Sequence, residues 1–208
     1  MEVRTSALWR ALALAPAACL PLAAAGCGAN PPVEGLGMGE DAAVRERLEL
    51  ERAANDGDVE AQLLLAAILL GGDATQHQPA EAARWYRLAA EGGDARAQCA
   101  LGVLYEDGIG VVQSDSEAAA WYTLAAEQGH AAARNKLGVM LLAGRGVPRD
   151  AARAHEWLRL AARQGVAESQ LALGLLYVRG EGVAQDHRLA ATYLRQAADQ
   201  GSVAPGST

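Results

Sequence analysis

Phenylalanine is absent from the 208 residues, and aromatic side chains of all kinds make up only 4% of them. The apolar 51% is carried mostly by Ala and Leu, enough to exclude wholesale disorder. Both are strong helix formers, so an all-α chain is expected. Cysteine occurs three times, at 19, 27 and 99. Two of these fall in the N-terminal export segment, so no disulfide framework can be built from the set. Basic residues are outnumbered, 18 Lys+Arg against 25 Asp+Glu, for a net charge of −7. That balance excludes a protein whose main task is to grip nucleic acid or anionic lipid with a basic surface. Catalytic signatures are missing as well: there is no G-x-S-x-G, no phosphate-binding loop and no S-x-x-K. The four histidines, at 77, 130, 155 and 187, form no H-x-x-x-H or His/Cys pair, so neither a metal site nor another cofactor is expected. Glu106-Asp107 with Glu117 suggest a carboxylate pair, yet helix-end solvation and capping explain them with less strain. Cys99 stands alone at a helical position and reads as an inert thiol.

What is present begins with an address. Arg4 and Arg10 give a positive start, and Ala11 to Ala25 then runs without a charge. Fifteen residues are too few for a bilayer span, which needs about 20, and Pro16 and Pro21 interrupt the stretch. It reads as a signal peptide. Its exit, Leu22-Ala23-Ala24-Ala25-Gly26-Cys27, resembles the lipobox of bacterial lipoproteins. The resemblance implies removal of residues 1–26, a diacylglycerol on the Cys27 thiol and an acylated new N-terminus. Ala24 departs from the family, which usually has Leu there. Ordinary cleavage after Ala25, leaving a soluble periplasmic protein, is the other reading. Each buried CH2 contributes about 0.8 kcal/mol, so two or three acyl chains make a durable anchor where one would not. Gly28 follows the cysteine, where Asp in that family favours inner-membrane retention; the outer membrane is therefore implied. Residues 27–40 are rich in Gly and Pro and read as a flexible linker.

The remainder is one motif written four times. Trp85-Tyr86, Trp121-Tyr122, Trp157-Leu158 and Tyr193-Leu194 are each 36 residues apart. Leu101-Gly102, Leu137-Gly138 and Leu173-Gly174 keep the same step, as do Gly93, Gly129, Gly165 and Gly201. Each unit holds two helices. In the second unit Asp94 is placed to cap the first helix, and Ala97, Leu101, Leu104 and Tyr105 mark one apolar face. Gly102 sits mid-helix, where it admits a close neighbour; Gly108 ends the helix in a left-handed cap. Ser114 with Glu117 has the spacing of a capping box, and Ala118, Trp121, Tyr122 and Ala125 mark the second buried face. Asp150 and Asp186 are equivalent caps, and Pro79 takes a first helical position. One hairpin cannot bury its apolar face alone, so stacked copies are expected to form a right-handed solenoid.

The L-G-x-x-Y, G-x-G-V and A-x-x-W-x-x-x-A-A-x-x-G elements resemble the Sel-1-like repeat family, a relative of tetratricopeptide units. The likeness covers 58–201, as repeats 58–93, 94–129, 130–165 and 166–201. It is fullest in the second: Leu101, Gly102, Tyr105, Gly108, Gly110, Val111, Ala118, Trp121, Ala125, Ala126 and Gly129. The first departs at Ala74-Thr75, where the Gly-Val pair belongs. Residues 41–57 match a lone second helix and read as an N-terminal cap, and 202–208 as a disordered tail. Leu88, Leu124 and Leu160 share a column ending in Gln196, which is expected to pack against the following repeat.

The resemblance implies a non-catalytic protein-interaction scaffold whose first helices line a concave groove. It places Arg96, Cys99, Val103 and Glu106 there, then Asn135, Val139 and Leu142, then Leu171, Leu175 and Val178. Spacings of three and four put each set on one helix face. Simple packing of those side chains between neighbouring helices is the competing reading. The expected partners are a protein segment and, through the anchor, a membrane; no nucleic acid and no small-molecule substrate are expected. Some exported Sel-1-like proteins are assigned penicillin-directed hydrolase activity. Those chains are Cys-rich with a disulfide in each unit, which this one lacks.

Overall fold

A computed structural model describes residues 38–71 and 77–202. The segment read as a signal peptide, Cys27, most of the stretch read as linker, the first-repeat turn at Ala74-Thr75 and the last six residues lie outside the described set. Every regular element within it is an α-helix. A leading helix α1 (Met38–Asn55) starts inside the stretch read as linker. Four hairpins follow: α2 (Val59–Gly71) with α3 (Pro79–Glu91), and α4 (Ala95–Asp107) with α5 (Asp115–Glu127). Next come α6 (Ala131–Ala143) with α7 (Ala151–Arg163), and α8 (Ala167–Arg179) with α9 (His187–Ser202).

The helix ends follow from single residues. The Asp94 carboxylate accepts from the Arg96 and Ala97 backbone N–H groups, both at 2.9 Å, which satisfies two orphan donors of α4. Gly108, at φ 70°, then closes that helix with its N–H on the Leu104 carbonyl. Ser114 accepts from the Glu117 N–H at 3.2 Å. Asp150 and Asp186 cap α7 and α9 in the same way.

Packing explains the glycines of the motif. A Cβ on Gly102 would lie 2.6 Å from the Tyr122 ring, and on Gly138 or Gly174 2.6 Å from Leu158 or Leu194. The two helices of a hairpin therefore touch at a side-chain-free point. The turn glycine Gly110 has φ 68°, and a Cβ there would lie 2.0 Å from the Pro79 carbonyl oxygen. Each G-x-G turn thus rests on the start of the preceding repeat's second helix, as Gly146 does on Asp115. A side-chain latch recurs at every junction: Gln62 Nε2 donates to the Ala54 carbonyl at 3.0 Å and Gln98 to Ala90 at 3.1 Å. Arg134 Nε donates to Ala126 at 3.0 Å and Gln170 to Ala162 at 3.3 Å.

Two apolar clusters meet at α4. Ala97, Ala100, Leu101 and Leu104 join the cluster built from α1 to α3, whereas Cys99 and Val103 join the one built from α5 to α8. The Leu88 column corrects an expectation. Leu88 and Leu124 are exposed, on the same side of their helices as the exposed Arg84 and Glu127, and do not seal the next junction, whereas Leu160 is half-buried. The buried Ala89-Ala90 and Ala125-Ala126 pairs lie there instead, small enough for the following helix to approach.

Candidate functional site

The ten residues assigned to the groove separate by burial. Arg96 is exposed and bridges Glu60 at 2.6 Å and Asp94 at 2.8 Å. Asn135 is half-buried and its Oδ1 accepts from Ser169 Oγ at 2.7 Å. On α8, Leu171 and Val178 are 39% and 38% exposed, and Leu175 is half-buried. The other five are buried: Cys99, Val103, Glu106, Val139 and Leu142. For them the expectation of partner contact is corrected. Val103 and Leu142 pack into the inter-repeat apolar cluster, and Glu106 is consumed by ionic contacts. Cys99 is fully buried and is not without a partner, so it is closed to a bound segment. Spacing places each set on one helix face, but it carries no information on how closely the next helix approaches that face.

Glu106 is the most unusual of them. Tyr122 donates to its Oε2 at 2.8 Å and Lys136 Nζ at 3.0 Å, while Arg145 pairs with Oε1. Burial alone would raise this carboxyl; the Lys136 charge and the hydrogen bonds from Arg145, Tyr122 and Lys136 outweigh it and hold the group below its ordinary value. Tyr122 is raised in turn, by burial first and then by the Glu106 charge. This cluster ties the second repeat to the third. It was missed at the sequence level, although a signal existed. Glu106 stands in a column otherwise filled by Leu70, Leu142 and Val178, and Lys136 in one holding Leu64, Ala100 and Ala172. Opposite charges in two facing apolar columns mark a pair.

The histidines have local duties. His130 Nδ1 accepts from the Ala133 N–H at 3.3 Å and caps α6. His155 Nε2 lies 3.0 Å from the Tyr177 hydroxyl, and the Tyr177 ring stacks on Tyr193 at 5.9 Å. Among the described residues no three His, Cys, Asp or Glu side chains gather to hold a metal ion. No helix among them is long and apolar enough to cross a membrane.

The geometry defines a class: a solenoid of stacked helix hairpins. Comparison narrows it to a family. Sel1 repeats match residues 59–94, 95–130, 131–166 and 167–202, and the chain belongs to the Sel1 repeat family. These bounds lie one residue later than those read from the periodicity. The chain resembles a protective antigen of uropathogenic Escherichia coli that displays an SLR fold, with 37% identity and a TM-score of 0.70. That match covers 73% of this chain and 32% of the antigen, so the chain spans about a third of that relative. It also resembles a Sel1 repeat protein from Oxalobacter formigenes, with 32% identity and a TM-score of 0.67, over 75% of this chain and 70% of that one. No curated protein matches it. Sel1 repeat proteins are generally protein-interaction scaffolds.

Proposed function

We propose that this protein is a non-catalytic adaptor of the bacterial cell envelope, tethered through a lipid on Cys27 and holding a protein segment along the concave side of its first helices. The observation that carries the reading is the row of four hairpins with a stripe along their first helices: Glu60, Arg96 and Glu168 are exposed in one column, Ala132 of the third repeat is half-buried in it, and Leu171 and Val178 stand open at its end. Such a stripe offers charged and apolar contacts to an extended or helical segment.

A photocrosslinking amino acid in place of Arg96 or Glu168, in intact cells, is expected to trap one discrete protein. The same group in place of Leu124, on the outer face, is expected to trap none. Equal trapping from both faces overturns the groove. The tether is tested separately, by the mass of the mature N-terminal peptide. A diacylglyceryl thioether on Cys27, lost in Cys27→Ser together with membrane association, supports it. A Cys27 sulfur recovered in a disulfide excludes it, because one sulfur cannot hold both bonds.

A further inference from the structure

Inside the stack, first helices meet in a fixed way. One stripe faces the next repeat: positions 99, 103 and 106 on α4, and 135, 139 and 142 on α6. The opposite stripe faces the preceding repeat: 100 and 104 on α4, 136 and 140 on α6, 172 and 176 on α8. Contacts such as Glu106 with Lys136 at 3.0 Å, and Asn135 with Ser169 at 2.7 Å, fix this assignment.

Both stripes lie open at the first and last described hairpins. On α2 the backward stripe presents Leu64, 54% exposed, and Ile68, 36% exposed. Their equivalents Ala100, Leu104, Met140, Ala172 and Leu176 are all at 0–1%. On α8 the forward stripe presents Leu171, Leu175 and Val178, where the second repeat buries Cys99, Val103 and Glu106. The two open surfaces are therefore the two halves of the joint that this chain already makes three times with itself.

Charge points the same way. Residues 38–130 carry 17 acidic against 6 basic side chains, net −11, whereas 131–202 carry 6 acidic against 10 basic, net +4. Hairpins contact mainly their sequence neighbours, so this difference is spread along the axis of the stack. The head is acidic and the tail basic.

We propose that copies of this chain associate head to tail, the α8 stripe of one against the α2 stripe of the next. The occupant of each open end is a second copy, selected by the apolar match and steered by the opposite charges. Helix α1 already holds the second-helix place beside α2, so the joint differs from the internal one there; it requires only that the two first-helix stripes meet. Such an interface is heterologous, so each copy keeps one unmatched end and association proceeds beyond the dimer. It shares Leu171 and Val178 with the proposed groove but not Arg96, so crosslinking from Arg96 and self-association can fail separately.

The test uses sedimentation velocity on the purified protein and two end-blocked variants. Leu64→Arg/Ile68→Arg places like charge against the basic tail, and Leu171→Glu/Val178→Glu does so against the acidic head. All four side chains are at least a third exposed, and thermal melts check that both variants stay folded; Ser at the same positions replaces any that do not. The parent protein is expected to sediment progressively faster as its concentration rises. Raising salt to about 1 M, where the Debye length is about 3 Å, should weaken that association. Each variant alone should stay monomeric, and an equimolar mixture should give a dimer and nothing larger, because only one matching pair of ends survives. A parent that stays monomeric overturns the proposal, including the case in which its own N-terminal segment covers the α2 stripe. So does a variant that still associates alone through one kind of end, which would show a two-fold joint.

Discussion

Tyr86 and Tyr122 occupy the same column one repeat apart, and both are fully buried. Their hydroxyls fare differently. Tyr122 donates to Glu106, but Tyr86 faces a repeat with Leu70 in that place, and its hydroxyl has no hydrogen-bond partner among the described residues. Burial pushes Tyr86 up to about 12. A lone buried hydroxyl costs free energy, whereas a hydrogen bond to a charged group stabilises by about 1.5–3 kcal/mol. Tyr86→Phe is thus expected to raise unfolding stability by about 1 kcal/mol, and Tyr122→Phe to lower it by about 2 kcal/mol. Urea titrations with unchanged m-values would show both. Glu106 adds a pH dependence. Its carboxyl titrates below the ordinary 4.5 in the folded chain, so its contribution is complete above that value and is lost as pH falls through the folded pKa. Glu106→Gln leaves Lys136 and Arg145 facing a neutral group. Breaking a buried pair costs about 3–5 kcal/mol, and part-exposure of both cations lowers the expected loss at neutral pH to about 2 kcal/mol. The gap between parent and variant should narrow below about pH 4.5; a gap that stays constant to pH 3 means that the carboxylate charge is not what stabilises the junction.

Among elements, the first helices of the four repeats are near copies with unequal N-caps. Asp58 and Asp94 accept from backbone N–H groups, and His130 does so through its ring. Val166, at the same position before α8, offers no side-chain acceptor. Its backbone is already extended, at φ −70° and ψ 110°, the geometry that Asp94 has in its cap. Val166→Asp should therefore stabilise the protein by about 1 kcal/mol without rearrangement. The rise in melting temperature should vanish in Val166→Ala, which shares the lost valine but gains no oxygen. The caps Asp94, Ser114, Asp150 and Asp186 and the turn glycine Gly108 were all legible in the sequence, because each acts within four residues of itself. The leading helix was legible as a match to a second helix, but not its start at Met38, since no capping residue marks it. The Glu106 cluster and the buried Gln latches were not read at all. Their partners lie 8–39 residues away, and only the assembled stack makes them neighbours.

For the whole molecule, stability is nearest-neighbour. Among the described residues a hairpin contacts mainly those beside it, so damage should spread according to place in the row. Leu158 and Leu194 are column mates, each packed on the mid-helix glycine of its own repeat, Gly138 and Gly174. Leu158 is fully buried between α6 and α8, and Leu194, in the terminal hairpin, is half-buried. Leu158→Ala should cost about 3 kcal/mol, as a large cavity in a close-packed interior does. It should speed amide exchange on both sides, in α5 and α6 as well as in α8 and α9, because the third repeat couples the two ends. Leu194→Ala should cost less and open only α8 and α9, with protection in α4 and α5 unchanged. Hydrogen exchange read helix by helix separates these patterns. Uniform loss of protection after Leu194→Ala would mean that the array unfolds as one unit. The charged lock at Glu106, midway along the row, would then be the first place to look for coupling stronger than neighbour packing provides.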